Sequence, residues 1–518
     1  MRISTRNFAK IRVVFRIVSL LFYMTLKNRR ILFYSFIFLF IIAGLGVVSY
    51  SQGWRIVTEN CKIVKLLNCS IKFQKTGAIF IEARPKGVLI KIDGKVFKDK
   101  SGLIQSGTLI TNLSPKTYRL KVEKDGYLAW TKNAVVKSGL VTETLKIILI
   151  PEKIEKKPIA VSKTIDNFWL SSQQKIVFKN KENLYFFQES LASPTKLKGD
   201  EFIQWSEDNN KIIVQDSKNQ IYYLYELNNL SKALNINATL NNLQKMNITE
   251  IAFHPLESSR LIIKDKKGFL YLLDTNRLKL ETIVKEPVLS WTIKSPNLYY
   301  IKKTQNSKLK TQNYYLASFS LTVKTENFAV ELSSPVNSTQ LSYGASQLIN
   351  QEPSEINAFG NKIAFLTKDG GLYLFDQMSR NFNQIAHSAE KFVFSPDNKK
   401  IAFLDRNGKL NIYFLEDYQR GIQKKAGEVI SLNFYEGFAV KNIFWYKDSH
   451  HLLVEYIGSA GSASACPEQC RRIDFIEIDD RLPINKYTLF EEVFNFHYES
   501  GLDRFYFIQE NGLRFAEF

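Results

Sequence analysis

Thiols, imidazoles and carboxylates build most catalytic and metal centres, so they are the first residues to place. The chain has only four cysteines, in two close pairs, Cys61 with Cys69 and Cys466 with Cys470. Two local pairs far apart in sequence predict two local disulfides in an oxidising compartment. A zinc site shared by the pairs is the lesser alternative, because no histidine stands at ligand spacing beside either. Dithiol redox chemistry fits less well, since Cys466-Pro-Glu-Gln-Cys470 has three residues between the thiols and follows a flexible GSAGSASA loop. Of the five histidines, His254, His387, His450, His451 and His497, three occupy equivalent places just after the repeat aromatic or at its turn and are expected as surface turn residues. No HExxH, GxSxG, phosphate-loop or calcium-loop spacing occurs. Asp208, Asp397 and Asp448 recur at one repeat position and could line a cation or sugar site, but an Asp that bonds its own turn backbone needs no ligand. Catalytic, cofactor-binding and metal-ligating residues are all expected to be none.

The elements that would position any site begin with Ile31–Tyr50, a run without a charge. As a helix it is about 30 Å long, the hydrocarbon thickness of a bilayer, and reads as a transmembrane segment. The net charge is +21, and Arg2, Arg6, Lys10, Arg12, Arg16, Lys27, Arg29 and Arg30 precede the span with no acid among them. That bias places the N-terminus in the cytoplasm and the body outside, although Arg55, Lys62 and Lys65 follow closely. A cleaved signal peptide is the alternative; the long apolar core and the lack of a good cleavage site favour a retained anchor. Ile11–Leu26, interrupted by Arg12 and Arg16, reads as an interfacial helix. Basic and aromatic residues are spread without a concentrated patch, which argues against nucleic-acid binding.

Apolar residues make up 45% of the chain, and Phe and Tyr, at 38 and 24, far outnumber Met at 4, a balance that suits sheets. The expected class is all-β after the anchor, with residues 1–30 a basic cytoplasmic tail, 31–50 the span and 51–75 a connector. Short period-two strands separated by Pro, Gly, Asn and Asp turns fill 76–151. Within them Pro85-Lys86-Gly87-Val88, Ile90-Lys91-Ile92-Asp93-Gly94, Leu113-Ser114-Pro115-Lys116-Thr117-Tyr118, Lys124-Asp125-Gly126-Tyr127 and Trp130 resemble the PEGA domain of bacterial and archaeal surface proteins, departing at Val88 and Lys116. The resemblance implies a small β-sandwich with a structural or adhesive extracytoplasmic role. The residues alone read Gly87, Gly94 and Gly126 as turn positions and Tyr118, Tyr127 and Trp130 as core.

After a charged linker at 152–158, a repeat occupies 159–518. Its clearest copy is FVFSPDNKKIAFLDRNGKLNIYF at Phe392–Phe414. A seven-residue step joins Trp169 to Ile176, Trp205 to Ile212, Trp291 to Leu298, Phe394 to Ile401 and Trp445 to Leu452. Looser copies start at Phe253, Phe359 and Phe496. The spacing of these anchors matches four-stranded propeller blades, interrupted by a polar insertion around Ser333–Glu355. The region resembles TolB-type and WD-repeat-like propellers through its FSPDG-like turn, which implies fold rather than activity. Eight blades are expected, with seven as the alternative, and the recurring tryptophans are expected to pack blade on blade. Ile159–Ile165 is expected to complete the last blade and remove its free edge.

The function expected from these features is a single-pass, membrane-anchored, non-catalytic binding or scaffold protein of the cell envelope. Its partner would be an envelope protein or an anionic wall or surface polymer. The alternative is a propeller-type hydrolase or lyase acting on polysaccharide or peptide.

Overall fold

The computed structural model describes residues 26–59, 70–102, 106–159, 164–189, 191, 193–305, 312–332, 352–432, 438–458 and 471–518. All four cysteines, most of the insertion at 333–351 and the interfacial segment from Ile11 to residue 25 lie outside them. The chain divides into two units, one formed by Met1–Val122 with Asn133–Ile147, the other by Glu123–Lys132 with Ile148–Phe518.

The first unit opens with a 26-residue helix, Leu26–Ser51, none of whose side chains is buried. It starts earlier than the uncharged run and takes in Lys27, Arg29 and Arg30, which were expected in the tail. Its length and composition suit either a membrane span or a secretion signal. At its C-terminus the Arg55 guanidinium donates to the Tyr50 carbonyl at 2.7 Å and lies 3.6 Å from the centroid of the Tyr50 ring, a cation placed where helix carbonyls lack partners.

The stretch expected as connector folds into a hairpin of β1 (Trp54–Glu59) and β2 (Ser70–Lys75). Seven strands follow: β3 (Gly77–Arg84), β4 (Leu89–Ile92), β5 (Lys95–Lys98), β6 (Thr108–Leu113), β7 (Thr117–Glu123), β8 (Trp130–Val135) and β9 (Val141–Ile148). They form a three-stranded sheet ordered β6-β3-β9 and a four-stranded sheet ordered β5-β4-β7-β8. Burial alternates along β7, where Tyr118, Leu120 and Val122 face inward, as expected of sheets covered on one side. Asp93 and Gly94, at φ +46° and +80°, make the β4–β5 turn, and the Asp93 carboxylate takes the Arg119 amide at 2.9 Å and the Lys116 ammonium at 2.7 Å. The departure at Lys116 therefore supplies an ion pair to the turn.

In the second unit, eight four-stranded antiparallel sheets follow one another. Sheets I to VII cover 167–196, 201–235, 248–284, 288–331, 353–386, 389–432 and 438–491, and sheet VIII covers 494–516. Their second strands read IVFKN, KIIVQD and RLIIKD and are buried almost continuously, because both faces are covered. The apolar clusters show what covers them. Val177 and Phe186 of sheet I pack with Ile212 and Val214 of sheet II, and each later pair of neighbours shares a cluster in turn. Tyr506 and Ile508 of sheet VIII then pack with Phe168 and Phe178 of sheet I.

The order of packing thus returns to its start, and the strands do too. Lys157–Pro158 pairs with Gly512–Ala516 as the outer strand of sheet VIII. This pairing falls in the stretch expected as linker, just before the segment expected to close the sheet. Ile159 and Ile165 add backbone bonds to Leu513 and Asn511, at 2.9 and 3.2 Å. Proline at the outer edge costs no ladder bond. The chain is therefore mostly β, with an apolar N-terminal helix and repeated four-stranded sheets consistent with a β-propeller.

Candidate functional site

Three places in the second unit gather polar chemistry. The first is where sheets VI and VII meet, at the turns that follow their first strands. The Ser395-Pro-Asp-Asn turn reverses with Asn398 at φ +57°, and the Ser395 hydroxyl donates to Asp397 at 2.5 Å. Asp208 is bound in the same way by Ser206, at 2.6 Å. Asp448 accepts the amide of His450 at 2.8 Å. All three aspartates serve their own turns.

Their surroundings differ from the expectation of exposed turns. Lys400 is fully buried, donates to Asp397 at 2.7 Å, and lies 4.5 and 5.9 Å from the ring centroids of Tyr418 and Trp445. His451 is buried on Phe475, ring centroids 4.5 Å apart, with Nδ1 2.7 Å from Asp448 Oδ2. His450 is half-buried between the Asp448 carbonyl, 2.7 Å from Nδ1, and the Tyr418 hydroxyl, 2.9 Å from Nε2. His254 is also buried, His387 is exposed, and His497 lies within the first strand of sheet VIII. The histidines at the turns after the first strands are thus packed rather than presented to solvent.

Burial governs the electrostatics of this cluster. It pushes Lys400 below the ordinary lysine value, against the pull of Asp397 and Asp448. It lowers His450, opposed by the Asp448 carbonyl and charge, and raises Tyr418. Asp397 and Asp448 would be raised by burial, but Lys400 and its hydrogen bonds outweigh this for the first and His451 for the second. The buried ammonium, held by Asp397, thus links sheet VI to the Trp445 ring of sheet VII.

The second place is an open cleft of about 580 Å³ on the first strands of sheets II, III and IV. A β-bulge interrupts the first strand of every sheet except sheet I. Bulges re-aim side chains, and here Gln204 and Glu250 follow them and line the cleft. One Glu250 oxygen takes Lys264 Nζ at 2.6 Å, the other the Trp291 indole N–H at 2.5 Å. Thr249, Tyr222 and Thr292 also line it, between Ile203, Ile251 and Ile293. An indole ring, a paired carboxylate, amides and hydroxyls thus give the cleft a polar lining with one aromatic face. Among the described residues, no group of three His, Cys, Asp or Glu could hold a metal ion.

A third polar group lies within the second unit and was not legible beforehand. Lys132 is fully buried and donates to Glu477 Oε1 and to the carbonyls of Asp479 and Arg481, the latter two at 3.1 and 2.8 Å. Glu477 also accepts the Trp130 indole at 2.8 Å and the Asn485 backbone and side-chain amides at 2.9 and 2.8 Å. The ring of Trp130, from the PEGA-like motif, is buried as expected, but its N–H bonds to a residue of sheet VII. Of the other motif residues, Pro85 and Gly87 lie between β3 and β4, Tyr118 is buried on β7, and Gly126 precedes Tyr127, which bridges to Pro151.

The repeat anchors fall at two kinds of place. Trp205, Phe253, Phe359, Phe394 and Trp445 end their first strands, whereas Trp169, Trp291 and Phe496 sit before the ends of theirs. Several touch the adjoining sheet: Trp169 stacks on Phe202 at 5.2 Å, Phe359 meets Phe394 at 6.2 Å, and Trp445 donates to the Val393 carbonyl at 3.1 Å.

No protein-family model and no curated protein sequence matches the chain. Among solved structures it is similar to the computationally designed Ika8 protein, at 10% identity over 70% of this chain and 100% of that one, TM-score 0.41. It is similar to the β-propeller domain of Cps50 (Swd1) from Myceliophteria thermophila, at 10% identity over 59% and 96%, TM-score 0.35. It is similar, too, to an oligogalacturonate lyase in complex with manganese, at 11% identity over 70% and 98%, TM-score 0.38.

Proposed function

We propose that the chain is a single-pass, membrane-anchored, non-catalytic binding or scaffold protein of the cell envelope. In this reading the helix is retained in the membrane with its N-terminus in the cytoplasm. The two small sheets are a PEGA-type domain, and the eight larger sheets are the blades of a closed propeller that docks an envelope protein or an anionic surface polymer. The cysteine pairs form two local disulfides in that compartment.

One observation carries the reading. A helix with Phe33, Phe36, Phe40 and most of their apolar neighbours exposed, and none buried, is not a core element of the folded protein, and a bilayer is the partner that matches its length. The cyclic order of apolar clusters and the Lys157–Pro158 pairing support closure at eight blades. The polar cleft at Gln204, Glu250 and Trp291 supports docking, while the buried Lys400 cluster supports a turn clamp in place of a reaction centre.

Protease added to intact spheroplasts should degrade the body and leave a short anchored fragment. Survival of the body, where known exterior proteins are digested, defeats the reading. Crosslinking in cells followed by mass spectrometry should recover an envelope component, and Glu250→Ala with Trp291→Ala should weaken that recovery.

A further inference from the structure

The end of the first unit that adjoins the helix carries apolar side chains that its own core does not use. Val135, Leu140 and Val141 are 52%, 57% and 50% exposed, and Phe73 is 71% exposed. Three of these lie in or beside the β8–β9 turn, whose strand ends are held together by Thr142 Oγ1 donating to the Val135 carbonyl at 2.6 Å. Val135 faces outward because its neighbours Ala134 and Val136 are buried, as alternation along a strand dictates.

The position of this patch follows from a short chain of backbone bonds. The Gly53 amide donates to the Tyr50 carbonyl at 3.1 Å, the Thr76 amide to Gly53 at 2.8 Å, and the Gly139 amide to Thr76 at 3.0 Å. Thr76 Oγ1 adds a second bond to the Gly53 carbonyl at 2.9 Å, and Ser138 Oγ donates to the Lys75 carbonyl at 3.0 Å. The turn is thus tied to the residues that leave the helix.

If Ile31–Tyr50 fills a hydrocarbon core of about 30 Å, the headgroup layer beyond Tyr50 is roughly 5–7 Å deep. Gly53, Thr76 and Gly139 fall within or just above it. Trp54 stands at the same level, where indole rings are favoured. Lys75 and Lys137 flank the apolar residues as groups that can meet phosphate.

We propose that this face, Val135, Leu140 and Val141 with Trp54 and Phe73, inserts into the interfacial layer of an anionic bilayer beside the helix. It is a second membrane contact that fixes how the first unit stands on the lipid. The inference rests on the reading of the helix as a span, with which the patch is continuous.

The test uses the full chain in nanodiscs containing phosphatidylglycerol. An environment-sensitive fluorophore on a non-canonical amino acid replaces Leu140, with Phe40 as the reference for lipid and Lys98, exposed on β5, as the reference for water. The expected result is a blue shift at Leu140, quenching by spin-labelled lipid and loss of iodide quenching. In Leu140→Asp/Val141→Asp, whose changes are at exposed positions, a fluorophore at Phe73 should move toward water. A Leu140 probe that behaves as Lys98 does while Phe40 stays in lipid overturns the second contact and leaves the span intact. Iodide access at Phe40 overturns the span itself. An unmoved Phe73 probe in the double variant also counts against the proposal.

Discussion

Replacing Lys132 with Met should be among the most damaging single changes in the second unit. The ammonium is fully buried and touches one carboxylate and two carbonyls, while Glu477 collects three further donors from Trp130 and Asn485. Lys132→Met leaves a carboxylate buried without its counter-ion, and Glu477→Gln leaves an ammonium bonded to two carbonyls, with the Asp479 charge as its remaining anion. Each costs about 3–5 kcal/mol. The double variant has no charge to strand, and its single Gln carbonyl can still accept from either the Trp130 indole or the Asn485 amides. It should therefore cost less than the two single changes added together, with a coupling of about 2 kcal/mol or more. Urea unfolding of the full chain in detergent, followed by tryptophan fluorescence and by circular dichroism, measures all four corners of the cycle. Additivity within about 0.5 kcal/mol, or a Lys132→Met variant as stable as the parent, would refute the idea that these two charges depend on each other.

Acid should destabilise the second unit below the ordinary histidine value of 6.5, because burial keeps His450 from taking a proton that the unfolded chain accepts. Lys400, Asp448, His451 and Tyr418 surround it, and His450→Gln should flatten the urea midpoint's dependence on pH; parallel curves for variant and parent would argue otherwise. In the first unit burial alone would raise Asp99, but bonds from Ser101, Thr108 and Gly87 hold it down at about 2. The stability it adds is present above its ordinary value of 3.8 and lost as pH falls toward 2, so Asp99→Asn should remove that part of the acid limb in thermal melts. Gly77→Ala would put a Cβ 2.4 Å from the Lys137 carbonyl and 2.6 Å from Val136 Cγ1, and should cost about 1–3 kcal/mol. Gly102→Ala meets nothing within 4 Å and is the matched control in the same denaturation series. Deleting Lys157–Pro158 should lower the melting temperature by roughly 2–4 °C per kcal/mol of pairing lost, and an unchanged melt would show that sheet VIII does not need its outer strand.

What could be read beforehand was what repeats locally. The uncharged run at Ile31–Tyr50, the Asp93-Gly94 turn and the SPDN turn at Ser395 announce themselves within a few residues. The seven-residue step located the repeats more surely than their strand ends: Trp169 and Trp291 lie before the ends of theirs, and in sheet IV the first strand runs on to Lys294 and the next starts at Asn297, shortening the turn. Lys400 follows a polar turn and looks like a solvated lysine. The rings of Tyr418 and Trp445, from a loop and from the next sheet, lie against it. Lys132 was hidden for the same reason, since its partner Glu477 is remote in the chain. The helix Ile236–Leu243 was not foreseen either: its Asn-rich sequence has little helical preference, and it is held by the Asn235 cap and by burial of Ile236 and Leu240.

The outer strand of sheet VIII has a consequence for the order in which the protein can be made. Lys157 and Pro158 are translated before any other residue of that sheet, and their partners Phe515 and Arg514 come at the far end of the same chain. Every intervening sheet can find its own four strands while the early pair waits. A waiting strand is a hazard, because an unmatched edge can recruit the wrong neighbour. Proline at its second position removes one of the amides such a neighbour would use, so the residue that sits quietly at the finished edge also guards it during synthesis.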